Sequence, residues 1–424
     1  MSIVKRLSRY FRATYLRFKI KALRYQPLPS SLYRKNRTRL LSKLKPDSAV
    51  VIHSNDQFPV NADATHRFKQ NSDLFYLTGI DQEETTLILA PNHPDPKFRE
   101  MLFVKETNDM IATWEGKKLS KLEARQRSAV ANIRWSHEFE GILNQVLLES
   151  QEVYLYQNEA GRSINSIKTS NDRFIEQCQA NYPLHRYNRL APLLYDLRRE
   201  KQEEEIVAIQ KAISITKKGF DNVVDAMTPG IKEYELEALF AKSFIEEGSR
   251  GFAYEPIIAG GQNSCVLHYI ENDQVLEDGQ LVLMDIGAEY GNYNADITRT
   301  FPVNGKFTTR QRDVYEAVLA AKNYATSLLK PGLLLSDYQK QVGAFIEQDL
   351  IKLGLLKQDE VDQQSETSPL YKRYFMHGTS HFLGLDVHDV GSRYQPLQVG
   401  DLLTVEPGIY IKDEGIGIRL EDNI

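Results

Sequence analysis

Two acidic residues interrupt apolar, strand-like stretches in the second half of the chain. Asp285 lies within residues 281–287, a run of apolar β-forming residues that predicts a buried strand, and Asp296 follows a turn signal at residues 291–292. A hairpin that turns at residues 290–291 sets the two carboxylates opposite each other, about 5 Å apart on one face. Burying two unpaired like charges there costs roughly several kcal/mol each, so the pattern predicts a bound cation.

A second acid pair recurs near the end of the sequence. A hairpin centred on residues 413–414 sets Glu406 opposite Glu421. Pro407 interrupts the ladder of backbone hydrogen bonds at that point, so this register is less secure than the first. Two hairpins that each carry an acid pair, together with one histidine, predict a site for two metal ions.

Four of the nine histidines lie beyond residue 200, namely His268, His377, His381 and His388. His377 and His381 are four residues apart, a spacing that forms a zinc pair on a helix. Gly378 and Gly384 favour a strand or loop instead, and the glutamate of the helical zinc-protease motif is missing. A lone histidine is more often structural, but the four candidate acidic ligands in the two hairpins favour a metal-binding histidine here.

Length and composition predict a chain of two domains. With 424 residues, 42% of them hydrophobic, the chain can bury a large core. A net charge of -4 gives no signature of nucleic-acid binding, and no such partner is expected. Cys178 and Cys265 are far apart and lack a metal-type spacing, which favours a reducing compartment. No apolar run approaches the roughly 20 residues that span a bilayer.

Short strands and helices alternate in the first half of the chain, which predicts an α/β domain with a mixed sheet. Strands are predicted at residues 48–52, 74–77, 86–89 and 101–104, and helices at residues 33–44, 119–134 and 139–150. One long helix over residues 193–218 marks the domain boundary, and its charged run at residues 198–205 predicts a solvated face. Further helices are predicted at residues 234–247, 309–329 and 335–353, with a polar connection at residues 358–368.

The first 46 residues contain no Asp or Glu but many Lys and Arg. Residues 1–31 are predicted to form a basic extension. Its alternatives are an amphipathic helix that contacts a membrane surface and an organelle presequence, since it lacks the apolar segment of a secretory signal. A cytoplasmic protein is the first expectation and a mitochondrial one the alternative.

Several spaced motifs resemble those of the pita-bread metallopeptidases, and most closely those of the Xaa-Pro aminopeptidases. In the second half these are SCVLHY, MDIGAEY, ADITRTFPVNGKFT, HGTSHFLGLDVHDVG, TVEPGIYI and GIRLEDN, and in the first half HRFKQNSDLFYLTG and TWEGKKL. The resemblance implies an α/β (α+β) fold. An N-terminal mixed-sheet domain of the creatinase type would span residues 32–185, and a pita-bread domain, a curved antiparallel sheet covered by helices, residues 186–424. Family members usually continue beyond the last motif, so the resemblance implies either a truncated C-terminal end or an unusually short last strand. If Ile424 is the true end, Glu421 is expected to be poorly held.

The resemblance implies a dinuclear centre of two divalent metal ions, with manganese as the family's usual metal. Its ligands would be Asp285, Asp296, His381, Glu406 and Glu421. A hydroxide that bridges the two ions would attack the scissile carbonyl, and Glu406 would pass the proton of the attacking water to the leaving nitrogen.

Other residues match the family's helpers in catalysis and substrate binding. His268 and His377 would hold the substrate around the scissile bond, His388 would stabilise the oxyanion, and Arg419 would orient a metal-bound carboxylate. Trp114 matches an aromatic residue that reaches a neighbouring subunit's active site in tetrameric relatives. The alternative for Trp114 is an ordinary, partly buried tryptophan.

The predicted function is therefore that of a proline-specific metalloprotease, a hydrolase that releases the first residue from peptides with proline at the second position. A bond to proline has no N–H and carries a rigid ring, so it needs a dedicated site. The alternatives are a prolidase that cleaves only Xaa-Pro dipeptides, a metal-free pita-bread binding module, and a creatinase-like hydrolase of a non-peptide substrate. The resemblance also implies a homo-oligomer, either a dimer or a tetramer.

Overall fold

A computed structural model describes residues 24–161, 167–365 and 367–424. It consists of an N-terminal α/β domain and a C-terminal domain of antiparallel strand pairs and helices, so the predicted fold class is confirmed. Most of the predicted basic extension, residues 1–23, lies outside the described residues, and its membrane contact and the compartment stay predictions. Among the described helices, none combines the length and apolar character that crossing a membrane requires.

The N-terminal domain is built on a six-stranded mixed sheet. Its strands are β1 (Ser48–His53), β2 (Thr86–Leu89), β3 (Glu100–Val104), β4 (Asn132–Trp135), β5 (Glu152–Leu155) and β6 (Arg186–Arg189). They lie in the order β4-β3-β2-β1-β5-β6, with β1 antiparallel to β2 and parallel to β5. The last strand carries this sheet beyond the domain boundary predicted at residue 185.

Helices cover both faces of this sheet. They are Ser30–Leu41, Ser72–Thr78, Lys121–Ser128, Phe139–Leu148 and Ser170–Asn181. The short helix Asp109–Trp114 also belongs to this domain but has no buried residue. Strand β1 shows how one sequence serves two cores, since Val50 and Ile52 join one cluster while Ala49 and Val51 join the other. A strand buried on both faces is a continuous apolar run, which is why β1, β2 and β3 could be predicted from the sequence.

Two predicted elements of this domain are wrong. Residues 74–77, expected to form a strand, lie in the helix Ser72–Thr78. The side chain of Asn71 caps the start of that helix by accepting two backbone N–H groups, and Gly79 ends it at a φ of 64°. These caps outweigh the local strand propensity. The helix expected over residues 119–134 ends at Ser128, and β4 joins the sheet instead.

The single long helix expected over residues 193–218 is two helices, Ala191–Arg199 and Glu203–Ala226. The break occurs because a new helix starts after Gln202. The backbone of Gln202 is extended, and its N–H donates to the Glu205 carboxylate at 3.0 Å. This contact begins a second helix, although the apolar stripe in the sequence continues through the break.

The charged run does not form the predicted solvated face. Arg198, Arg199 and Lys201 are 2%, 4% and 7% exposed, because this segment lies between the two domains. Arg199 forms a two-pronged ion pair with Asp401, with both nitrogen–oxygen distances at 2.6 Å. A run of charges has the same composition whether water or another domain neutralises it, so the pattern alone could not predict this burial.

The C-terminal domain contains short antiparallel strands under long helices. Its strands are β7 (Ile257–Gly260), β8 (Leu281–Ile286), β9 (Glu289–Tyr290), β10 (Tyr293–Asn294), β11 (Ile297–Pro302), β12 (Thr404–Val405), β13 (Gly408–Ile411), β14 (Ile416–Arg419) and β15 (Asp422–Asn423). After Glu203–Ala226 its helices are Glu233–Glu246, Thr309–Leu328 and Leu335–Lys352, as predicted, and the short Gln358–Asp362, within the segment expected to be a connection.

Alternation along β8 decides which way Asp285 points. Val282, Met284 and Ile286 belong to the core beneath the helices Glu203–Ala226 and Glu233–Glu246, whereas Leu283 belongs to a different cluster. Asp285 is two residues from Leu283, so it projects from the same face, away from those helices.

Candidate metal centre

Strands β8 and β11 form the hairpin that carries Asp285 and Asp296. The register pairs Asp285 with Thr298, which leaves Asp296 across from Gly287. The turn is formed by residues 291–292, whose φ angles of 61° and 72° are typical of a type I′ turn. The predicted face-to-face pairing of the two acids is therefore wrong. Because the register differs by an even number of residues, both acids still lie on one face as diagonal neighbours.

Gly287 and Tyr254 fix the space around these two acids. A Cβ atom at Gly287 would lie 1.9 Å from the Ala295 carbonyl oxygen, so the hairpin cannot close around a side chain there. The Tyr254 hydroxyl lies 2.6 Å from one oxygen of Asp285 and 2.6 Å from one of Asp296. A single hydroxyl proton cannot be donated to both carboxylates, so the pair still attracts a cation.

The second hairpin has the predicted register. Glu406 and Glu421 lie opposite each other across the interruption at Pro407, because the same register runs through β13–β14 and β12–β15. The expected poor hold on Glu421 is wrong. This residue is 1% exposed, its N–H donates to the Thr298 carbonyl at 3.0 Å, and its carboxylate accepts from the Thr298 hydroxyl at 2.7 Å.

His381 lies where the two hairpins meet. Its Nε2 atom is 3.4 Å from Asp296 and 3.7 Å from Glu406. Its Nδ1 lies 2.9 Å from the Phe382 carbonyl oxygen, so a proton on Nδ1 leaves the Nε2 lone pair directed at the acids. Asp296, His381 and Glu421 each offer a ligand atom, all within 4.8 Å of one another.

Burial makes most of these carboxylates resist ionisation. It raises the pKa of Glu421 well above the usual range, with Asp296 adding repulsion, and raises the pKa of Glu406 to about 7. Burial acts in the same direction on Asp285, but Arg419, which donates to it at 2.6 Å, outweighs that effect and the pKa is lowered. Divalent cations relieve such a concentration of negative charge. The residues therefore fit the metal ions that the motifs imply.

The neighbouring carboxylates also shift the pKa of His381. Burial lowers the pKa of its imidazole, but the hydrogen bond to Asp296 and the charge of Glu406 outweigh it, and the pKa rises to about 9. A proton and a metal ion compete for the same Nε2 lone pair. The acids around His381 thus attract whichever cation that nitrogen can hold.

Arg419 also anchors a polar chain that leads to His377. It donates to the Tyr410 hydroxyl at 2.9 Å, and that oxygen lies 2.7 Å from Nε2 of His377. Arginine only donates, so the hydroxyl proton is directed at His377, whose own proton then lies on Nδ1 near the Gly378 carbonyl. Burial and the Arg419 charge lower the pKa of His377 to about 3, in agreement with a neutral ring.

The remaining predicted residues occupy different surroundings. The His388 ring packs edge-on against that of His381, with 4.5 Å between centroids. His268 is exposed and near enough to His377 for its charge to lower the pKa of that ring. Trp114 is 84% exposed, so the alternative of a partly buried tryptophan is wrong. The catalytic and metal-binding roles predicted for the site residues stay predictions.

Sequence analysis missed the two tyrosines that organise the site. Tyr254 and Tyr410 each contact residues far away in the chain, and neither stands in a spacing that would mark it. Tyr410 lies within the TVEPGIYI motif, which was the only signal available for it.

Comparison with known proteins identifies the family. A sequence model of metallopeptidase family M24 matches residues 207–424, and one of the aminopeptidase P N-terminal domain matches residues 33–156. The chain belongs to metallopeptidase family M24. It is 36% identical over 409 residues to the Xaa-Pro aminopeptidase of Haemophilus influenzae, covering 94% of this chain and 92% of that protein.

Other M24 relatives agree with this assignment. The Xaa-Pro aminopeptidase of Escherichia coli is 34% identical over 406 residues, covering 92% of this chain and 91% of that protein. Among solved structures, proline aminopeptidase P II from Yersinia pestis superposes with a TM-score of 0.83 at 34% identity, covering 94% of each chain. Zinc-substituted E. coli aminopeptidase P in complex with product gives a TM-score of 0.83 at 32% identity, covering 94% and 93%. The resemblance to the Xaa-Pro aminopeptidases is confirmed, and this M24 member is a hydrolase.

Proposed function

We propose that this chain is an Xaa-Pro aminopeptidase, which hydrolyses the bond between the first residue of a peptide and a proline at the second position. The observation that carries the proposal is the meeting of two acid-bearing hairpins at His381 in a buried place with excess negative charge. The names of the M24 relatives support the choice of an N-terminal Xaa-Pro bond as the substrate.

The metal centre is proposed to hold two manganese ions. Their ligands are Asp285, Asp296, His381, Glu406 and Glu421, a set of carboxylates with one imidazole that favours hard divalent ions. When bound, two such ions lower the pKa of water and polarise the scissile carbonyl. The E. coli relative with zinc substituted supports a divalent metal, and a comparison of Mn²⁺ with Zn²⁺ tests the choice of ion.

Glu406 is the proposed proton carrier. It takes a proton from the attacking water and delivers it to the proline nitrogen, which leaves as a secondary amine. Its position supports this role, because its two oxygens lie 3.7 Å from Nε2 of His381 and 3.8 Å from Nδ1 of His377. His388 donates a hydrogen bond to the oxyanion, and His268 holds the substrate together with His377.

Trp114 is proposed to line the active site of a second copy in a homo-oligomer. Its high exposure supports this role, because a side chain that is 84% exposed is free to contact a second copy. Light scattering on the purified chain tests the assembly. Trp114→Ala should raise KM without changing the melting temperature, and a monomeric wild-type chain would remove this role.

Mass-spectrometric cleavage of a Gly-Pro-Ala tripeptide, with Gly-Pro alongside, tests the activity after addition of Mn²⁺. Release of glycine from the tripeptide supports the proposal. Cleavage confined to the dipeptide would make the chain a prolidase. Bound metal without either product would point to another substrate, and the absence of both would favour a binding role.

A further inference from the structure

A second buried group of charges lies beside the metal centre, between the domains. This interdomain cluster consists of Asp73 from the N-terminal domain, Arg198 and Lys201 from the connecting segment, and Asp386 and Asp389 from the loop after His381. Arg198 contacts Asp73 at 2.9 Å, Asp386 at 2.8 Å, and also Asp389. Lys201 contacts the other oxygen of Asp389 at 3.1 Å.

The interdomain cluster ties the loop to the N-terminal domain. The side chains of Arg198 and Asp73 are 3% and 0% exposed, and Asp386 is 40% exposed. The Ser72 hydroxyl, also from the N-terminal domain, donates to Asp386 at 2.7 Å. Burying charges in this way is costly, and a buried network of ion pairs fixes one geometry at the expense of others.

Backbone hydrogen bonds carry this geometry to His381. The Asp389 N–H donates to the Phe382 carbonyl at 2.9 Å, and the same carbonyl oxygen lies 2.9 Å from Nδ1 of His381. Gly384 allows the loop to fold closely around the Asp389 side chain, since a Cβ there would lie 2.2 Å from its carboxylate. The carbonyl that orients the imidazole is therefore set by a residue that Arg198 holds.

We propose that Arg198 is a positioning residue for the metal centre. By holding Asp386 and Asp389 it fixes the Phe382 carbonyl and thereby the direction of the His381 lone pair, so the N-terminal domain helps to set metal affinity through Asp73. This inference rests on the proposed role of His381 as a metal ligand. Partners that orient a ligating histidine typically change metal affinity by about 10- to 100-fold when they are altered.

Asp386→Asn tests the proposal, with Glu100→Gln as the matched control. Glu100 is the 34% exposed partner of Arg37, which is 1% exposed and lies in the N-terminal domain. Both substitutions neutralise one carboxylate that pairs with a buried arginine, but only Asp386→Asn affects the loop after His381. Calorimetric titration of the metal-free full chain with Mn²⁺ should show Kd raised about 10-fold or more for Asp386→Asn, and within about twofold of wild type for Glu100→Gln.

Ser72→Ala provides a milder variant, and it decides the matter if Asp386→Asn does not fold. It should raise the Kd for Mn²⁺ a few-fold with an unchanged melting temperature. Wild-type affinity in both variants, or an equal loss in Glu100→Gln, would overturn the proposal. A wild-type chain that binds Mn²⁺ without cleaving Xaa-Pro peptides would defeat the proposed function alone, because the Kd comparison still judges the role of Arg198.

Discussion

The metal centre and the interdomain cluster are both buried groups of carboxylates, but their charges are balanced in different ways. In the interdomain cluster three carboxylates meet Arg198 and Lys201, whereas four carboxylates of the metal centre meet the single guanidinium of Arg419. In the interdomain cluster burial raises the pKa of Asp73, but at Asp386 Arg198 outweighs burial and the pKa is lowered. In the metal centre three of the four acids, Asp296, Glu406 and Glu421, have a raised pKa. Burial of acids alone does not mark a functional site. An excess of buried negative charge that no side-chain cation neutralises does mark such a site.

Glu421→Gln probes the unbalanced side of this comparison and should have the largest effect. We expect kcat/KM for Xaa-Pro peptides in Mn²⁺ to fall by about 10²- to 10³-fold, the scale seen when a group that stabilises transition-state charge is removed. Urea unfolding of the metal-free variant should show unchanged or increased stability, because one buried like charge is gone. A large loss of metal-free stability would mean that Glu421 was already balanced within the protein.

Asp389→Asn makes the corresponding change in the balanced cluster. It removes the charge of the carboxylate that contacts both Arg198 and Lys201. Buried Lys201 then loses the acid that it pairs with at 3.1 Å, so the free energy of unfolding should fall by about 3–5 kcal/mol. Urea denaturation of the metal-free chain measures this loss. A change below about 1 kcal/mol would show that the interdomain cluster contributes little, and the contrast with Glu421→Gln would disappear.

Mn²⁺ should stabilise the folded chain by binding at the metal centre and not at the interdomain cluster. Mn²⁺ at a hundredfold excess over its Kd should add about 2.7 kcal/mol per site to the free energy of unfolding of the wild-type chain. The same gain is expected in Glu100→Gln, which leaves the metal centre intact, and a smaller one in Glu421→Gln. If Mn²⁺ stabilised wild type and Glu421→Gln equally, the ion would bind at a site that does not include Glu421.

His53, a half-buried base outside both clusters, offers the smallest test. Its Nδ1 lies 2.8 Å from the Thr86 hydroxyl, and burial lowers its pKa from 6.5 to about 4. The unfolded chain therefore binds the extra proton between these values, so stability is complete above pH 6.5 and falls as the pH drops towards 4. The loss should reach about 2 kcal/mol by pH 5, since each pH unit below 6.5 lowers the stability by roughly 1.4 kcal/mol.

His53→Gln removes this titration while it keeps a polar group beside Thr86. Urea unfolding of metal-free wild type and variant at several pH values between 7 and about 4 isolates the contribution of His53. Parallel stability curves for the two proteins would show that His53 has the same pKa in the folded and unfolded chain.

Local signals in the sequence determined much of this protein. A run of apolar β-forming residues, a turn signal and the equal spacing of the acids about each turn predicted both acid-bearing hairpins. The register of the Glu406–Glu421 pair came out as expected. Spaced motifs predicted the family. These features depend on residues close together in the chain, where backbone geometry leaves few choices.

Only the tertiary structure decided the features that join distant segments. The burial of Arg198 and the double contact of Tyr254 both depend on neighbours that no local pattern identifies. A charged residue has the same sequence signature in water and in a buried pair, because its partner is chosen by the packing of the domains. The sequence therefore determined which groups could carry chemistry, and the fold decided which of their charges are already neutralised.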